Sequence, residues 1–167
     1  MIRTSHKLLL AGAGGLAALI ALASAVHPFG DPRRTGVGAQ NILTGARIPS
    51  PLRELVERKC GNCHSEAVAW PLYSRVAPVS WLVEHDVTEA RAHMNLSRWG
   101  IYGDEEKLNL LARLAAEVRN GEMPPGRYTF IHRDSKLTPS EQNALYEWTR
   151  TERMRLKVNK SQGTNKE

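Results

Sequence analysis

Residues Cys60-Gly61-Asn62-Cys63-His64 hold the only two cysteines of the chain and set a histidine directly after the second. Two thiols three positions apart, with an imidazole beside the second, suit covalent haem attachment: the thiols add across the two vinyl groups of the porphyrin, and the next residue brings a ring nitrogen to the iron. Cys60 and Cys63 are then the attachment points of one haem c, and His64 is the proximal ligand. A chain arranged around such a group is expected to be all-α, its helices and long loops wrapped around the haem.

Three other uses of the pair are weaker. Zinc normally takes four ligands, usually as two Cys/His pairs, and there is no second cysteine pair. A thioredoxin-like redox pair sits after a strand at the start of a helix, whereas the residues before Cys60 read as a helix. A structural disulfide over a two-residue spacer would restrict the unfolded chain very little.

With 167 residues, 41% of them hydrophobic, the chain has room for one small helical core plus tails. The net charge of +6 lies at the ends, +2 in residues 1–25 and +4 in residues 150–167, while residues 26–149 are neutral. Without a contiguous basic face, nucleic acid is not an expected partner.

After Arg3 and Lys7 comes an uncharged run from Leu8 to Val26 that ends in Ala23-Ser24-Ala25. Charge, apolar length and small-residue exit together mark residues 1–26 as an export signal. Its 19 uncharged residues are also about enough to cross a bilayer as an uncleaved anchor. Both readings carry the remainder to the periplasm, soluble or held at the inner membrane, where haem c is attached. Residues 27–49, rich in Gly, Pro, Arg and Thr, read as a linker or surface arm.

The haem-binding domain is expected over 50–156. Ser50-Pro51 opens a helix by hydroxyl cap and first-turn proline, and Leu52, Leu55 and Val56 carry it into the cysteine motif. Residues 65–78 read as a loop along one haem edge. A second helix runs from Pro78 to about His93 with Val79, Leu82, Val83, Val87 and Ala90 on one face, and His85 off it. A third starts at Asp104-Glu105-Glu106, carries Leu108, Leu111, Leu114, Ala115 and Val118, and ends at Gly121. The last begins with the capping box Thr138-Pro139-Ser140-Glu141, buries Ala144, Leu145 and Trp148, and fades after about Met154 into a disordered basic tail, 157–167.

The sixth position of the iron has few candidates. Met123 lies in a non-helical loop after a helix-ending glycine, is stiffened by Pro124 and Pro125, and stands 59 positions beyond His64. A thioether there would close the iron to other ligands and raise its potential. His93 and His132 are the alternatives, or the position is open. Trp70, Trp81, Trp99, Tyr73 and Tyr128 are candidates to line the pocket, and Arg91, Arg98 or Arg127 to neutralise a propionate.

The motif, the Met-Pro loop and a late helix with Trp148 resemble the class I cytochrome c arrangement. Trp70-Pro71, Tyr73-Ser74, Ala77-Pro78-Val79-Ser80-Trp81-Leu82, Arg91, Asn95-Leu96-Ser97-Arg98-Trp99 and Gly121-Glu122-Met123-Pro124-Pro125 resemble more closely the bacterial haem-binding domain family, over roughly residues 49–150. That resemblance implies an exported monohaem c-type protein, and the cytochrome pattern carries Met123 over as the sixth ligand. Two functions follow as expectations. One is an electron carrier, a monomer with His64 and Met123 on the iron, that docks on redox partner proteins and transforms no substrate. The other is a haem sensor or peroxidase-like enzyme with an open or labile sixth position.

Overall fold

The computed structural model describes residues 2–33, 41–68 and 70–164, with side chains from residue 10 to residue 162. It is all-α: no strand occurs among the described residues. Six helices follow in order: α1 (Ile2–Ser24), α2 (Ser50–His64), α3 (Val79–His93), α4 (Asp104–Asn120), α5 (Gly126–Ile131) and α6 (Pro139–Thr164). Single 3-10 turns lie at Leu72–Arg75, Leu96–Ile101 and Arg133–Ser135.

The frame is α4 packed along α6, with α2 against α3. Leu110, Leu111 and Val118 of α4 meet Leu145, Trp148 and Leu156 of α6, and Leu55 and Val56 of α2 join the same core with Leu96, Trp99 and Leu137. Helix α4 starts on its three acids and stops where Gly121 takes φ 73°, a left-handed conformation that spares the glycine a side-chain clash. The capping box at the head of α6 is formed: Thr138 N–H donates to Glu141 Oε2 (2.7 Å), and Glu141 N–H donates to Thr138 Oγ1 (3.3 Å). Lys59 Nζ donates to Glu141 Oε2 (2.9 Å) and to the Lys136 carbonyl (2.7 Å), tying the end of α2 to the start of α6.

Two expectations are corrected. Helix α6 does not end at about Met154 but continues to Thr164; residues 165–167 of the expected tail lie outside the described residues. The core stripe Leu145, Trp148, Leu156 is interrupted by Glu152, which hides its continuation. Glu152 is buried all the same, accepting from Arg155 and, at Oε1, from the Arg47 N–H (3.2 Å). The apolar stripe expected on α3 also splits. Val87 is buried with Ser80 and Glu84, while Val79 and Leu82 are 44% and 52% exposed.

The segment read as a linker or surface arm is in close contact with the body. Ile42 and Leu43 are core residues, Leu43 with φ 56° and its N–H on the Leu96 carbonyl (2.9 Å), and Arg53 donates to the Ile42 carbonyl. Residues 34–40 of that segment lie outside the described residues. Upstream, residues 24–33 lie along α3: Ala77 N–H donates to Ser24 Oγ (2.9 Å), Trp81 Nε1 to the Val26 carbonyl (2.9 Å), and Arg91 to the Pro32 carbonyl (2.8 Å). On α1 itself, Leu10, Leu16, Leu19 and Leu22 are exposed. Among the described residues, no helix is long and apolar enough to cross a membrane.

Candidate functional site

The cysteine motif occupies the last turn of α2, where carbonyls outnumber their partners and the helix dipole is negative. Neither thiol is in a disulfide. Burial, with the neighbouring Cys63 adding and Lys59 opposing, pushes the Cys60 thiol up to about 12. Burial pushes Cys63 up to about 11, Asp86 adding while Arg127 and Arg91 oppose. Zinc ligation and dithiol redox chemistry use thiolates of lowered pKa, favoured at a helix N-terminus or beside cations. Here the helix end and the burial act in the opposite direction. Among the described residues, no group of three or more His, Cys, Asp or Glu could hold a metal ion.

His64 is oriented by α3. Its Nδ1 lies 2.9 Å from the Met94 carbonyl, at the C-cap of that helix. A carbonyl only accepts, so Nδ1 carries the proton and Nε2 keeps its lone pair, the tautomer of a metal-binding imidazole whose other nitrogen is held by the protein. Burial lowers the pKa of His64, against the opposing pull of the Met94 and Ala90 carbonyls, and this favours the neutral ring.

The stripe on α3 gains its meaning from this motif. Asp86 acts on Cys63 and the Ala90 carbonyl on His64. Val79, Leu82 and Val83 lie on the same helical face as Asp86 and Ala90, and Val79 and Leu82 are exposed there. Leu72, Tyr73 and Val76 of the adjoining 3-10 segment, and Met123, Phe130 and Ile131 beyond α4, are further exposed apolar side chains. A histidine whose Nδ1 is held by a backbone carbonyl, two cysteines three positions apart and free of a disulfide, and exposed apolar side chains on α3 together fit a haem held by Cys60, Cys63 and His64.

Met123 is 37% exposed in the loop between α4 and α5. Its N–H donates to the Glu117 carbonyl (3.3 Å). Met94 instead packs against the core, and Met154 is exposed on α6.

The other candidates divide. His93 is largely exposed beside Glu89, and His85 packs edge-on against Phe29. His132 stacks on Tyr128 at 4.5 Å and its Nε2 hydrogen-bonds the Tyr73 hydroxyl at 2.6 Å. Cys63 acts on Tyr73, whose pKa is raised by burial first and by Tyr128 and Cys63 next. Tyr73 and Tyr128 therefore belong to the site. Trp99 does not: it is a core residue, edge-on to Tyr102. Trp81 serves the Val26 carbonyl, and Trp70 lies under Arg33, 5.7 Å from its ring centroid. Arg127 pairs with Asp86 (2.7 and 3.2 Å) within reach of Cys63, Arg91 donates to the Ser65 carbonyl (3.0 Å), and Arg98 pairs with Glu66 (2.8 Å).

Three groups that shape the site or its surroundings escaped the sequence reading. The Met94 carbonyl is a backbone atom, which no side-chain pattern reveals. Asn62, inside the motif, donates to the Tyr128 hydroxyl (3.0 Å). Glu84 is fully buried and accepts from His27 (2.8 Å) and Arg33 (2.7 Å) at Oε1; the basic residues in the arm were the only hint of it.

A family model described as a haem-binding domain matches residues 19–151. Comparison with curated proteins and with solved structures gives no match.

Proposed function

The chain belongs to the haem-binding domain family, and we propose that it works as an exported monohaem c-type cytochrome that carries electrons. The observation that carries this reading is His64: its Nδ1 is held by the Met94 carbonyl at 2.9 Å, which leaves Nε2 for iron, one residue from an unpaired thiol. When bound, the haem supplies one-electron chemistry. Cys60 and Cys63 would supply the thiols that attach it, and His64 and Met123 would hold its iron. The motif-facing stripe of α3 keeps water from the ring, and Arg127 is the cation best placed for a propionate.

The uncharged run from Leu8 to Val26 supports export to the periplasm, with the body released there or kept at the inner membrane by the N-terminal segment. Redox proteins are its partners, met briefly at an exposed haem edge, and it acts as a monomer. A sensor or peroxidase-like role would need a distal acid-base side chain. Of the histidines, His93 acts on His64 but is 72% exposed beside Glu89, and His132, stacked on the Tyr128 that Asn62 reaches, has its Nε2 engaged by Tyr73, which favours the carrier.

The test is haem retention under denaturing extraction. Wild-type protein exported in a cell that attaches haem c should keep its haem through acid-acetone treatment, and Cys60→Ala/Cys63→Ala should lose it. Extraction of the wild-type haem would end the c-type assignment.

A further inference from the structure

Helix α5 has six residues and buries none of them. A single turn and a half of helix does not persist on its own in water, so side-chain links must hold it in place. It has three, each to a different element. Tyr128 receives a hydrogen bond from Asn62 of α2 (3.0 Å), Arg127 donates to Asp86 of α3 (2.7 Å), and His132, just past the helix end, is joined to Tyr73 (2.6 Å) while stacking on Tyr128. Asn62 stands between the two cysteines, so the first link grips the attachment turn itself.

The Met123 loop is short and held at both ends. Upstream, Gly121 in its left-handed turn lets the N–H groups of Gly121, Glu122 and Met123 return to the Val118 and Glu117 carbonyls. Downstream, the Pro125 carbonyl accepts from Tyr128 and Thr129 N–H (3.0 Å each), which makes Pro125 the first fixed point of α5. Any displacement of α5 therefore reaches Met123 through Pro124 and Pro125 alone, and proline leaves little backbone freedom to absorb it.

We propose that Asn62, Tyr73, Tyr128 and His132 form a latch that sets α5, and through it the Met123 side chain, against the haem-attachment turn. Tyr128 and His132 are then positioning residues for the sixth ligand of the iron. The latch rests on the assignment of Met123 made above and adds what keeps that ligand in place. It also gives His132 a structural task in place of ligation.

The experiment follows cyanide binding to ferric holoprotein by stopped flow, with the far-red absorption band of methionine-ligated iron and the thermal midpoint recorded for each protein. The set is wild type, Met123→Ala, Tyr128→Phe, Tyr73→Phe, His132→Ala and His132→Gln. Loss of one hydrogen bond of the latch should speed cyanide entry about tenfold. Tyr128→Phe, Tyr73→Phe and His132→Ala should show this with haem attached and the midpoint unchanged, because α5 contributes nothing to the core. His132→Gln, which keeps an acceptor for Tyr73, should restore slow entry. A wild-type rate in all the latch variants, with the far-red band present, would overturn the latch and leave Met123 as ligand. A rate gain matched by a fall in the midpoint would also overturn it, as general loosening. If the wild type lacks the band and Met123→Ala changes nothing, the ligand assignment falls and the latch with it.

Discussion

At the scale of single residues, the candidate site separates the groups proposed to hold the haem from the groups that orient them. His64 needs a neutral ring and a free Nε2, and both come from α3: burial favours the neutral form, and the Met94 carbonyl takes the Nδ1 proton. Burial, at the negative end of α2, raises the pKa of both thiols. Met123 is the residue whose removal should alter the iron most. Met123→Ala should give a high-spin ferric spectrum and rapid cyanide binding, with the haem still covalently attached. A spectrum unchanged from wild type would remove Met123 from the iron.

At the scale of elements, the helices read from the sequence are present because their local signals agree. Proline and serine open α2, acids open α4, a left-handed glycine closes it, and a capping box opens α6. The readings that failed did so where tertiary contacts reassign a residue. Glu152 breaks the apolar period of α6 and so concealed the stretch to Thr164, although Leu156 is buried at 3% exposure. Leu156→Ala should therefore cost about 3 kcal/mol in thermal or urea unfolding. A loss within error would mean that the end of α6 is loose. On α3, the periodicity put Val79, Leu82, Val83, Val87 and Ala90 on one face, whereas Val87 is buried and Val79 and Leu82 are exposed. The Ala90 carbonyl at the end of α3, which acts on His64, is the link between that helix and the motif that no side-chain pattern could give.

The capping box also has a pH signature. Burial alone would raise Glu141, but hydrogen bonds from Thr138 and Lys59 outweigh it and hold the carboxyl below 4.5. The folded protein thus binds that proton less readily than the unfolded chain. Its contribution to stability is present above 4.5 and is lost as the pH falls through the folded value. Glu141→Gln should flatten the acid limb of the stability curve in that window and leave the neutral region nearly unchanged in slope. An acid limb identical to wild type would show that the box is not closed in solution.

At the scale of the molecule, the Met94, Met123 and arm segments are brought to one domain from far apart in sequence, which is why the site was only half legible. The motif announces Cys60, Cys63 and His64 by itself, whereas their partners come from residues whose types promise nothing. The arm is the clearest case. His27 and Arg33 close on Glu84, a carboxylate with no exposed surface, and the arm's backbone receives bonds from Trp81 and Arg91. The matched family region begins at residue 19, upstream of these contacts. Arg33→Ala leaves a buried carboxylate with one partner fewer and should destabilise the protein by about 3 kcal/mol in a denaturant titration. A cost under about 1 kcal/mol, the level of an exposed ion pair, would show that the arm is not seated on α3 in solution.

The central claim is that one haem is held by Cys60, Cys63, His64 and Met123 for electron transfer. The measurement that bears on it most directly is the absorption spectrum of the ferric holoprotein, recorded with and without cyanide. A low-spin spectrum with the weak far-red band of methionine ligation, slow to yield to cyanide, is the expected result. High-spin iron that binds cyanide at once would contradict it and turn the site towards sensing or peroxide chemistry.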